Sequence, residues 1–283
     1  MKVITTIKEL QQVISLTKQQ QKKIGFVPTM GFLHEGHCAL LKQARNENDV
    51  VVLSIFVNPL QFGPTEDLDR YPRDFDQDQK VAKKLSVDYL FHPSDSEMYP
   101  HEPSVTLKVN KRTNVLCGSS RPGHFDGVVT VLTKLFHIVQ PDKVYFGKKD
   151  AQQVAVVHGL VKDFNFPLEI IAVDTVREED GLAKSSRNVY LSAEERVQAP
   201  TLYQSLQKAI EMICEGETDP DRLISSIEDM IKTETSGEID YVSILSYPEL
   251  EKVDRVTEND MIIAIAVKFS KARLIDNIIL TRK

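Results

Sequence analysis

Two histidines three residues apart, His34 and His37, are the residues of this sequence whose types and spacing most clearly suggest chemistry. They follow a short apolar run at residues 24–27 and a turn, and a helical pattern begins around them. The first turn of a helix has N–H groups without intrahelical partners and carries partial positive charge, so it favours anions. Gly36 leaves room for a flat ligand to approach the backbone. The segment therefore predicts an anion site, with a nucleotide phosphate as the leading candidate.

Two other interpretations fit the same spacing. Histidines at positions i and i+3 share a helix face and could ligate zinc, and Cys38 lies next to them. The other cysteines, Cys117 and Cys214, are far away in the sequence, and no second compact Cys/His cluster accompanies the first. The histidines could also be structural. A short motif is a hypothesis, so the spacing alone leaves all three interpretations open.

Composition limits the class of protein. With 283 residues, 41% of them hydrophobic and 27% charged, the chain can form a globular core, and disorder is not expected. A formal net charge of −6 without a long basic run argues against nucleic-acid binding. The chain has three cysteines, an odd number with irregular spacing, which suits a reducing cytoplasm better than a disulfide framework. No apolar stretch approaches the roughly 20 residues of a membrane span, and the first residues lack a signal-peptide pattern, so we expect a cytoplasmic protein without a membrane partner.

Short apolar runs alternate with helical patterns over the first part of the sequence. The run at residues 50–57 is apolar on both faces, which is typical of a buried parallel strand. Such alternation predicts an α/β fold with a doubly wound, Rossmann-like parallel sheet. The predicted strands are residues 24–27, 50–57, 87–91, 144–146 and 169–173, and the predicted helices are residues 6–19, 38–46, 76–85, 121–136 and 150–164.

The pattern changes after residue 176. A polar stretch leads into a capping box at Ser192, followed by predicted helices at residues 194–214 and 219–232. Strand-like runs follow at residues 239–244, 261–267 and 272–279. We therefore expect two domains, a Rossmann-like domain over residues 1–176 and a smaller C-terminal α+β domain over residues 177–283.

Three polar clusters follow predicted strands of the first domain. Besides His34–His37, the amides of Asn58 and Gln61 follow the second strand, and Gly147–Asp150 follows the fourth. Taken singly, the last two clusters are ordinary turns. Ligands of doubly wound sheets bind beyond the carboxyl ends of the strands, so three clusters at that edge indicate one binding site. Amides can orient a hydroxyl or carboxylate, and lysine supplies charge for a phosphate.

A fourth cluster, Lys184–Arg187, lies in the polar stretch before Ser192. One lysine, two hydroxyls and one arginine in four residues can clamp an anion, and a loop can close over a bound substrate. The same composition is also usual in a polar linker between domains. The sequence contains neither a Walker A loop nor a Gly-x-Gly-x-x-Gly pattern, so P-loop and NAD binding are not expected.

The combination of motifs resembles the pantoate–β-alanine ligase family of the HIGH/KMSKS nucleotidyltransferase superfamily. His34–His37 resembles the HIGH motif, and Lys184–Arg187 resembles the KMSKS-like loop. The resemblance runs in order from about residue 24 to residue 192. The matching segments are Pro28-Thr29-Met30-Gly31-x-Leu33-His34-x-Gly36-His37, Phe56-Val57-Asn58-Pro59-x-Gln61-Phe62, Tyr71-Pro72-Arg73, Arg121-Pro122-Gly123-His124-Phe125-x-Gly127-Val128, Phe146-Gly147-x-Lys149-Asp150-x-Gln152-Gln153 and Ser185-Ser186-Arg187-Asn188.

The resemblance implies a ligase of pantothenate biosynthesis that uses ATP, pantoate and β-alanine, with Mg²⁺ as cofactor. It implies a cytoplasmic homodimer that associates through its first domain, which binds nucleotide and pantoate, while the second domain acts as a lid. The implied catalytic residues are His37 as general acid, His34 as phosphate ligand, Lys149 and Arg187. Gln61 would bind pantoate and β-alanine, Gln153 would bind pantoate, and Asn58 would also bind substrate. The implied ATP-binding residues are Met30, Gly31, Phe32, Leu33, His34, Glu35, Gly36, His37, Gly147, Lys148, Lys149, Asp150, Val176, Lys184, Ser185, Ser186 and Arg187.

Two positions depart from the family pattern. Lys148 stands where the family more often has Glu, and Lys184 stands where it more often has Met. The magnesium ligands are not identified by the sequence; Asp74, Asp76 and Asp78 form an acidic patch that could contribute, although an exposed helix start is the simpler interpretation. Two rival functions are a nucleotidyltransferase that acts on a phosphorylated substrate and a nucleotide-binding module without catalysis. The amides Asn58, Gln61 and Gln153 argue against the first, because a phosphorylated acceptor would call for more basic residues.

Overall fold

A computed structural model of the chain describes residues 1–64, 66, 68–256 and 260–281. In the part of the chain that it describes, six strands form a fully parallel sheet in the order β1-β4-β3-β2-β5-β6. The strands are β1 (Lys2–Ile4), β2 (Ile24–Thr29), β3 (Val50–Ile55), β4 (Tyr89–Phe91), β5 (Lys143–Gly147) and β6 (Glu169–Val173). The helices between and around them are α1 (Ile7–Gln19), α2 (Glu35–Glu47), α3 (Phe75–Lys84), α4 (Asp95–Met98), α5 (Leu116–Ser120), α6 (His124–Val139) and α7 (Ala151–Asp163). The predicted doubly wound sheet is confirmed.

The central strands are apolar on both faces because both faces are covered. All six residues of β3 are buried, and helix α2 packs its Leu40, Leu41 and Ala44 into the same core. Burial of side chains such as these contributes roughly 1.5–3 kcal/mol each relative to leaving them exposed. Strand β1 was not predicted, since three residues are too short to show a period.

Helix starts in the first unit agree with the sequence to within one residue except at α2, which begins at Glu35 rather than at residue 38, and at α6. Thr6 caps α1 as expected, through its hydroxyl and the Glu9 N–H. For the fourth predicted helix the expected cap, Asp126, is wrong: α6 begins at His124, after Gly123 in the left-handed conformation. Asp126 lies inside the first turn, where its carboxylate accepts the Val109 N–H at 2.8 Å. The residue therefore ties down a distant loop, a role that local pattern does not reveal.

The C-terminal part forms a smaller α+β unit. In the described residues after 174, three antiparallel strands pair in the order β7-β8-β9. These are β7 (Glu238–Ser246), β8 (Met261–Lys268) and β9 (Arg273–Leu280), and the helices are α8 (Ala193–Gln198), α9 (Thr201–Cys214) and α10 (Pro220–Glu234). The single helix predicted at residues 194–214 is divided into α8 and α9, with Pro200 at the start of α9. Buried side chains of α9, α10 and the sheet form one core.

The two compact units are not divided by a single cut. One consists of Met1–Asn110, Arg121–Lys148 and Val156–Asp174, and the other of Lys111–Ser120, Lys149–Ala155 and Thr175–Lys283. The expected linear boundary at residue 176 therefore misses two segments of the second unit. They belong there because Leu116, Ala151 and Ala155 share a buried cluster with side chains of β7 and β8. Lys149 and Asp150 thus lie in the second unit.

Helix length and polarity also bear on membrane association. Within the described residues, every helix is too short or too polar to cross a bilayer. Helix α6, which is largely apolar, has 16 residues.

Gly127 tests how tightly α6 packs on the turn that follows β3. A methyl group on Gly127 would lie inside the van der Waals contact distance of the Leu60 carbonyl oxygen. We expect Gly127→Ala to lower the free energy of unfolding by about 1–3 kcal/mol, because the backbone of α6 or of the Leu60–Gln61 turn must shift to make room for the methyl group. The measurement is urea unfolding followed by circular dichroism. Gly63→Ala is the control, since its methyl group would meet only the Glu66 side chain at 3.8 Å. Equal stability of the two variants would contradict the packing.

Candidate active site

The order of strands places the crevice of the first unit. Chain order runs outward from β2 to β3 and β4 on one side and from β5 to β6 on the other. Ligand crevices of doubly wound sheets lie at such a switch point, beyond the carboxyl ends of the strands. Strand β2 ends at Thr29 and leads into Met30–His37, and neighbouring β5 ends at Gly147. The structure therefore brings the predicted His34–His37 segment and Gly147 to the switch point.

A buried carboxylate holds the turn between β2 and α2. Asp78 of α3 accepts the Phe32 N–H at 2.8 Å and the Leu33 N–H at 2.7 Å, and it is only 2% exposed. Burial raises the pKa of Asp78 above its ordinary value, although the two N–H bonds oppose that shift. Gly31 and Phe32 both have positive φ, 85° and 53°. A non-glycine residue rarely adopts such a conformation, so the two bonds to Asp78 hold Phe32 in a strained backbone.

The two histidines form the first turn of α2. His34 is the N-cap, and its Nδ1 accepts the Gly36 N–H at 3.1 Å, while His37 Nδ1 accepts the His34 N–H at 3.3 Å. Their ring centroids are 4.2 Å apart. A neutral imidazole that accepts at Nδ1 carries its proton on Nε2. What each ring can offer an anion is therefore an Nε2–H donor.

A cavity of about 370 Å³ opens beside this turn. Met30 and Gly31 line it, together with Asp78 and His92. His92 stacks on Phe75 with 4.0 Å between ring centroids, and its Nδ1 lies 2.9 Å from the Ile55 carbonyl. The turn after β2 thus borders a concave surface at the carboxyl ends of the strands.

The turn after β3 fixes the orientation of one amide. Gln61 is 8% exposed, and its Oε1 accepts a hydrogen bond from Asn58 Nδ2 at 3.0 Å. Asn58 itself is 1% exposed: its Nδ2 also donates to the Gly127 carbonyl, and its Oδ1 accepts from the Tyr99 hydroxyl at 2.8 Å. These partners allow Asn58 only one amide orientation. With its oxygen engaged by Asn58, the orientation of the Gln61 amide is also set, and its Nε2 is the donor end of the group.

The backbone of Gln61 is held from the other side by the Arg121–His124 motif. His124 Nδ1 lies 2.8 Å from the Gln61 carbonyl, and Arg121 donates to the same carbonyl at 3.3 Å. Arg121 also pairs with both oxygens of Glu66. Burial alone would raise the pKa of Glu66, but the bond and charge of Arg121 outweigh it and hold the pKa below its usual value. This motif supports the Gln61 turn.

The turn after β5 is divided between the units. Lys148, in the first unit, pairs with Asp174 at 2.6 Å on an exposed part of the surface. Lys149 is the first residue of the segment Lys149–Ala155, which belongs to the second unit. Its carbonyl accepts a hydrogen bond from Asn277 Nδ2 at 2.8 Å. Gln152 is buried and donates to the carbonyls of Arg112 and Val115, so its role is structural. Gln153, next to it on α7, is half-buried.

The predicted anion clamp follows a short hairpin rather than an irregular linker. Lys184 N–H donates to the Val176 carbonyl at 2.9 Å, and Arg177 pairs with Ala183 as an antiparallel bridge. The clamp then opens with Ser185, whose hydroxyl accepts the Arg187 N–H at the start of a 3₁₀ turn, Ser186–Tyr190. Lys184 lies 3.9 Å from Glu178. The hairpin thereby sets the direction in which residues 184–187 continue from it.

The structure bears on metal binding in one respect. Among the described residues, no three or more His, Cys, Asp and Glu side chains are grouped so that they could hold a metal ion. The acidic patch expected at the start of α3 is divided: Asp74 caps the helix, Asp76 is exposed, and Asp78 is buried against the turn after β2. Asp78 is therefore not an exposed helix-start residue. Its spacing from Ala82 on the buried face of α3 is the sequence signal that could have placed it inside.

Comparison with known proteins identifies the family. A family model described as pantoate-beta-alanine ligase matches residues 2–279. The chain belongs to this family. A pantothenate synthetase from Geobacillus sp. (strain WCH70) is 60% identical to this member over 98% of each chain. One from Bacillus pumilus (strain SAFR-032) is 61% identical over 99% of this chain and 96% of that protein.

Solved structures of the ligase family have the same fold. A pantothenate synthetase from Thermus thermophilus superposes with a TM-score of 0.93 at 43% identity, covering 99% of this chain and 100% of that one. A pantoate-beta-alanine ligase from Francisella tularensis, solved in complex with beta-gamma ATP and beta-alanine, has a TM-score of 0.80 at 36% identity, covering 98% of this chain and 97% of that one.

Asp78 gives a direct test of the turn that carries the histidines. We expect Asp78→Ala to lower the free energy of unfolding by about 2–4 kcal/mol, because it leaves two buried backbone N–H groups without acceptors. The measurement is urea unfolding, with the amide resonances of Phe32 and Leu33 as local reporters. Asp76→Ala, on the exposed face of the same helix, is the control and should change stability by less than about 1 kcal/mol. If the two amide resonances stay in place, Asp78 does not hold the turn.

Proposed function

We propose that this protein is a pantoate–β-alanine ligase that condenses pantoate with β-alanine at the expense of ATP, giving pantothenate, AMP and pyrophosphate. Membership of the ligase family over residues 2–279 supports this proposal. Within the structure, the observation that carries it is the pair of capping imidazoles at the switch point, whose Nδ1 atoms accept the cap bonds, so that each neutral ring carries its N–H at Nε2. Donors placed there suit an anion with several oxygens, such as a polyphosphate.

The reaction has two steps. A carboxylate oxygen of pantoate attacks the α-phosphorus of ATP, and the bond from that phosphorus to pyrophosphate breaks, which gives pantoyl adenylate. The amine nitrogen of β-alanine then attacks the acyl carbon; the C–N bond forms, AMP leaves with the C–O electrons, and the amine loses a proton. Both steps develop negative charge on phosphate oxygens, so positive charge and N–H donors lower the barrier. Alignment of the reactants can contribute roughly 7–11 kcal/mol.

In the first unit, His34 binds phosphate and His37 acts as general acid toward the departing pyrophosphate. For this step His37 must first take up a proton at Nδ1 in place of the His34 N–H bond, so that loss of its Nε2 proton leaves a neutral imidazole. Their donors are prealigned because the cap bonds fix both rings. The remaining proposed nucleotide-binding residues of this unit are Met30, Gly31, Phe32, Leu33, Glu35, Gly36, Gly147 and Lys148. Because Lys148 pairs with Asp174, it would have to exchange that exposed partner for a phosphate. Exposed pairs contribute at most about 1 kcal/mol, so the exchange costs little.

Gln61 binds pantoate and β-alanine through its Nε2 donor. A donor recognises the carboxylate or hydroxyl oxygen of pantoate, and the Oε1 of the same amide already accepts a hydrogen bond from Asn58. Asn58, proposed as a substrate residue, is only 1% exposed and is suited to orient Gln61. Gln153 is the second proposed pantoate ligand.

The remaining proposed nucleotide-binding residues supply further charge and hydroxyl groups. Lys149 and Arg187 stabilise phosphate charge, and Ser185 and Ser186 donate hydroxyl hydrogen bonds. Asp150, Val176 and Lys184 complete the proposed nucleotide-binding set. Lys184 stands where the family more often has Met, so an ammonium group here replaces an apolar contact. Its nearness to Glu178 keeps that charge partly compensated.

Mg²⁺ fits this chemistry as a companion of ATP. Magnesium usually keeps several waters and binds through substrate phosphates with few protein ligands. When bound, it would neutralise charge on the phosphates. A homodimer formed through the first unit and a cytoplasmic location complete the proposal.

Product analysis tests the activity. Purified protein given ATP, Mg²⁺, pantoate and β-alanine should release AMP, pyrophosphate and pantothenate in equal amounts. Without β-alanine, pantoate should still support exchange of labelled pyrophosphate into ATP, because the first step is reversible. A nucleotidyltransferase that stops after transfer would make no pantothenate. Absence of both AMP formation and exchange would disprove the ligase.

Substitution at His37 tests the general acid. We expect His37→Ala to lower turnover by about 100-fold or more, which is the usual loss of a positioned acid. His37→Asn is the sharper variant, because its Oδ1 can still accept the His34 N–H while the Nε2 donor is lost. Its melting temperature should stay close to that of the unsubstituted protein, and its turnover should fall as far as that of His37→Ala. Turnover near the unsubstituted rate would remove His37 from the mechanism.

A further inference from the structure

Two adjacent residues of strand β9, Asp276 and Asn277, connect two loops that lie far from them in the sequence. Asn277 donates to the Lys149 carbonyl across 128 residues, and Asp276 pairs with Arg177 across 99 residues. Asp276 is 4% exposed and Asn277 8% exposed. All of these residues belong to the second unit.

Asn277 fixes the turn that carries Lys149. The distance from its Nδ2 to the Lys149 carbonyl oxygen is 2.8 Å. Immediately after that turn, Ala151 is buried in a cluster that includes Ile262 and Ala264 of β8. The turn therefore meets the sheet twice, once through a hydrogen bond and once through an apolar contact. Together these contacts limit where the Lys149 backbone can lie.

Asp276 fixes the hairpin that precedes Ser185–Arg187. Its two carboxylate oxygens accept from the Arg177 guanidinium at 2.6 and 2.9 Å. Arg177 also donates to the Gly181 carbonyl at the hairpin turn and lies 3.5 Å from the ring centroid of Tyr203. The backbone of Arg177 pairs with Ala183, the residue before Lys184. The bond from Asp276 to Arg177 therefore fixes the hairpin, and with it the start of the clamp, relative to β9.

The two anchors lie on opposite faces of the strand. Successive side chains of a strand point to opposite faces, so Asp276 and Asn277 cannot share one. Asp276 lies on the same face of β9 as Leu274, which belongs to the core formed with α9 and α10. Asn277 lies on the same face as Ile279, which packs in the cluster that contains Ala151. The polar side chain on each face is thus paired with a loop, and Asp276 Oδ1 also accepts the backbone N–H of Asn277 at 2.8 Å. Two consecutive buried polar residues in a strand are costly unless each has a partner.

We propose that Asp276 and Asn277 are positioning residues for adenylate formation, which hold the Lys149 turn and the Ser185–Arg187 loop in a fixed relation on one sheet. The proposal rests on the proposed function, since it assigns phosphate binding to both loops. Neither residue needs to touch substrate. A shift of about 1 Å in a positioned group can cost about 100-fold in rate, so small movements of these loops are sufficient to impair the first step.

The experiment measures pantoate-dependent exchange of pyrophosphate into ATP by the full-length protein. We expect Asn277→Ala to lower kcat/KM for ATP by about 10-fold or more. The control is Asp240→Asn, which weakens another, half-buried Arg–Asp pair of the same sheet, with Arg273 at 2.7 Å. That pair contacts neither loop, so exchange should stay within about threefold of the unsubstituted rate.

A double-substitution cycle separates positioning from general loss of stability. If Asn277 acts through Lys149, the loss caused by Asn277→Ala should shrink to less than about twofold when Lys149→Gln is already present. A purely structural effect would be the same in both backgrounds. If Asn277→Ala does not fold, Asn277→Asp enters the same cycle, because it keeps the volume and replaces the donor with an oxygen.

The outcomes are distinct. An unsubstituted protein without exchange would overturn the proposed function. Normal exchange in the unsubstituted protein, with Asn277 variants that are unimpaired or whose losses are equal in both backgrounds, would overturn this inference alone.

Discussion

Two backbone N–H groups in the first turn of α2 need acceptors, and the imidazoles of His34 and His37 provide them. This interaction fixes the orientation of both rings at the start of α2. The turn before α2 places His34 at the N-cap position. This turn has positive φ at Gly31 and Phe32, and the carboxylate of Asp78 holds it through two hydrogen bonds. One capping geometry thus links strand, turn and helix.

The same constraint recurs at each turn of the candidate site. Backbone groups near the ends of buried strands cannot all reach water, so they are satisfied by buried polar side chains. Asn58 does this at the Gly127 carbonyl, Asp78 at the Phe32 and Leu33 N–H groups, and Asn277 at the Lys149 carbonyl. These side chains make the orientation of the residues beside them a property of the fold.

The sequence predicted those parts of the molecule whose cause is local. The apolar run of β3 revealed a buried parallel strand, and the order of motifs placed His34, Gln61 and Gly147 after strands. It could not reveal pairs formed by distant residues. Nothing in the strand pattern of β9 indicates that Asp276 pairs with Arg177. The predicted domain boundary at residue 176 likewise gave no sign that α5 packs on β8. Asp126 was misplaced for the same reason, because its partner, Val109, is remote from the helix start.

The second unit is assembled from three separate stretches of chain, and this has a consequence for dissecting the protein. A fragment that starts near residue 175 would contain all of the three-stranded sheet but would lack α5 and the start of α7. Leu245, Ile262 and Ala264 would lose their apolar cover, and Asn277 would lose the Lys149 carbonyl. Bare apolar sheet faces promote association between molecules. The C-terminal unit is therefore not a transferable module, and recombination or truncation at the apparent boundary should yield an insoluble product.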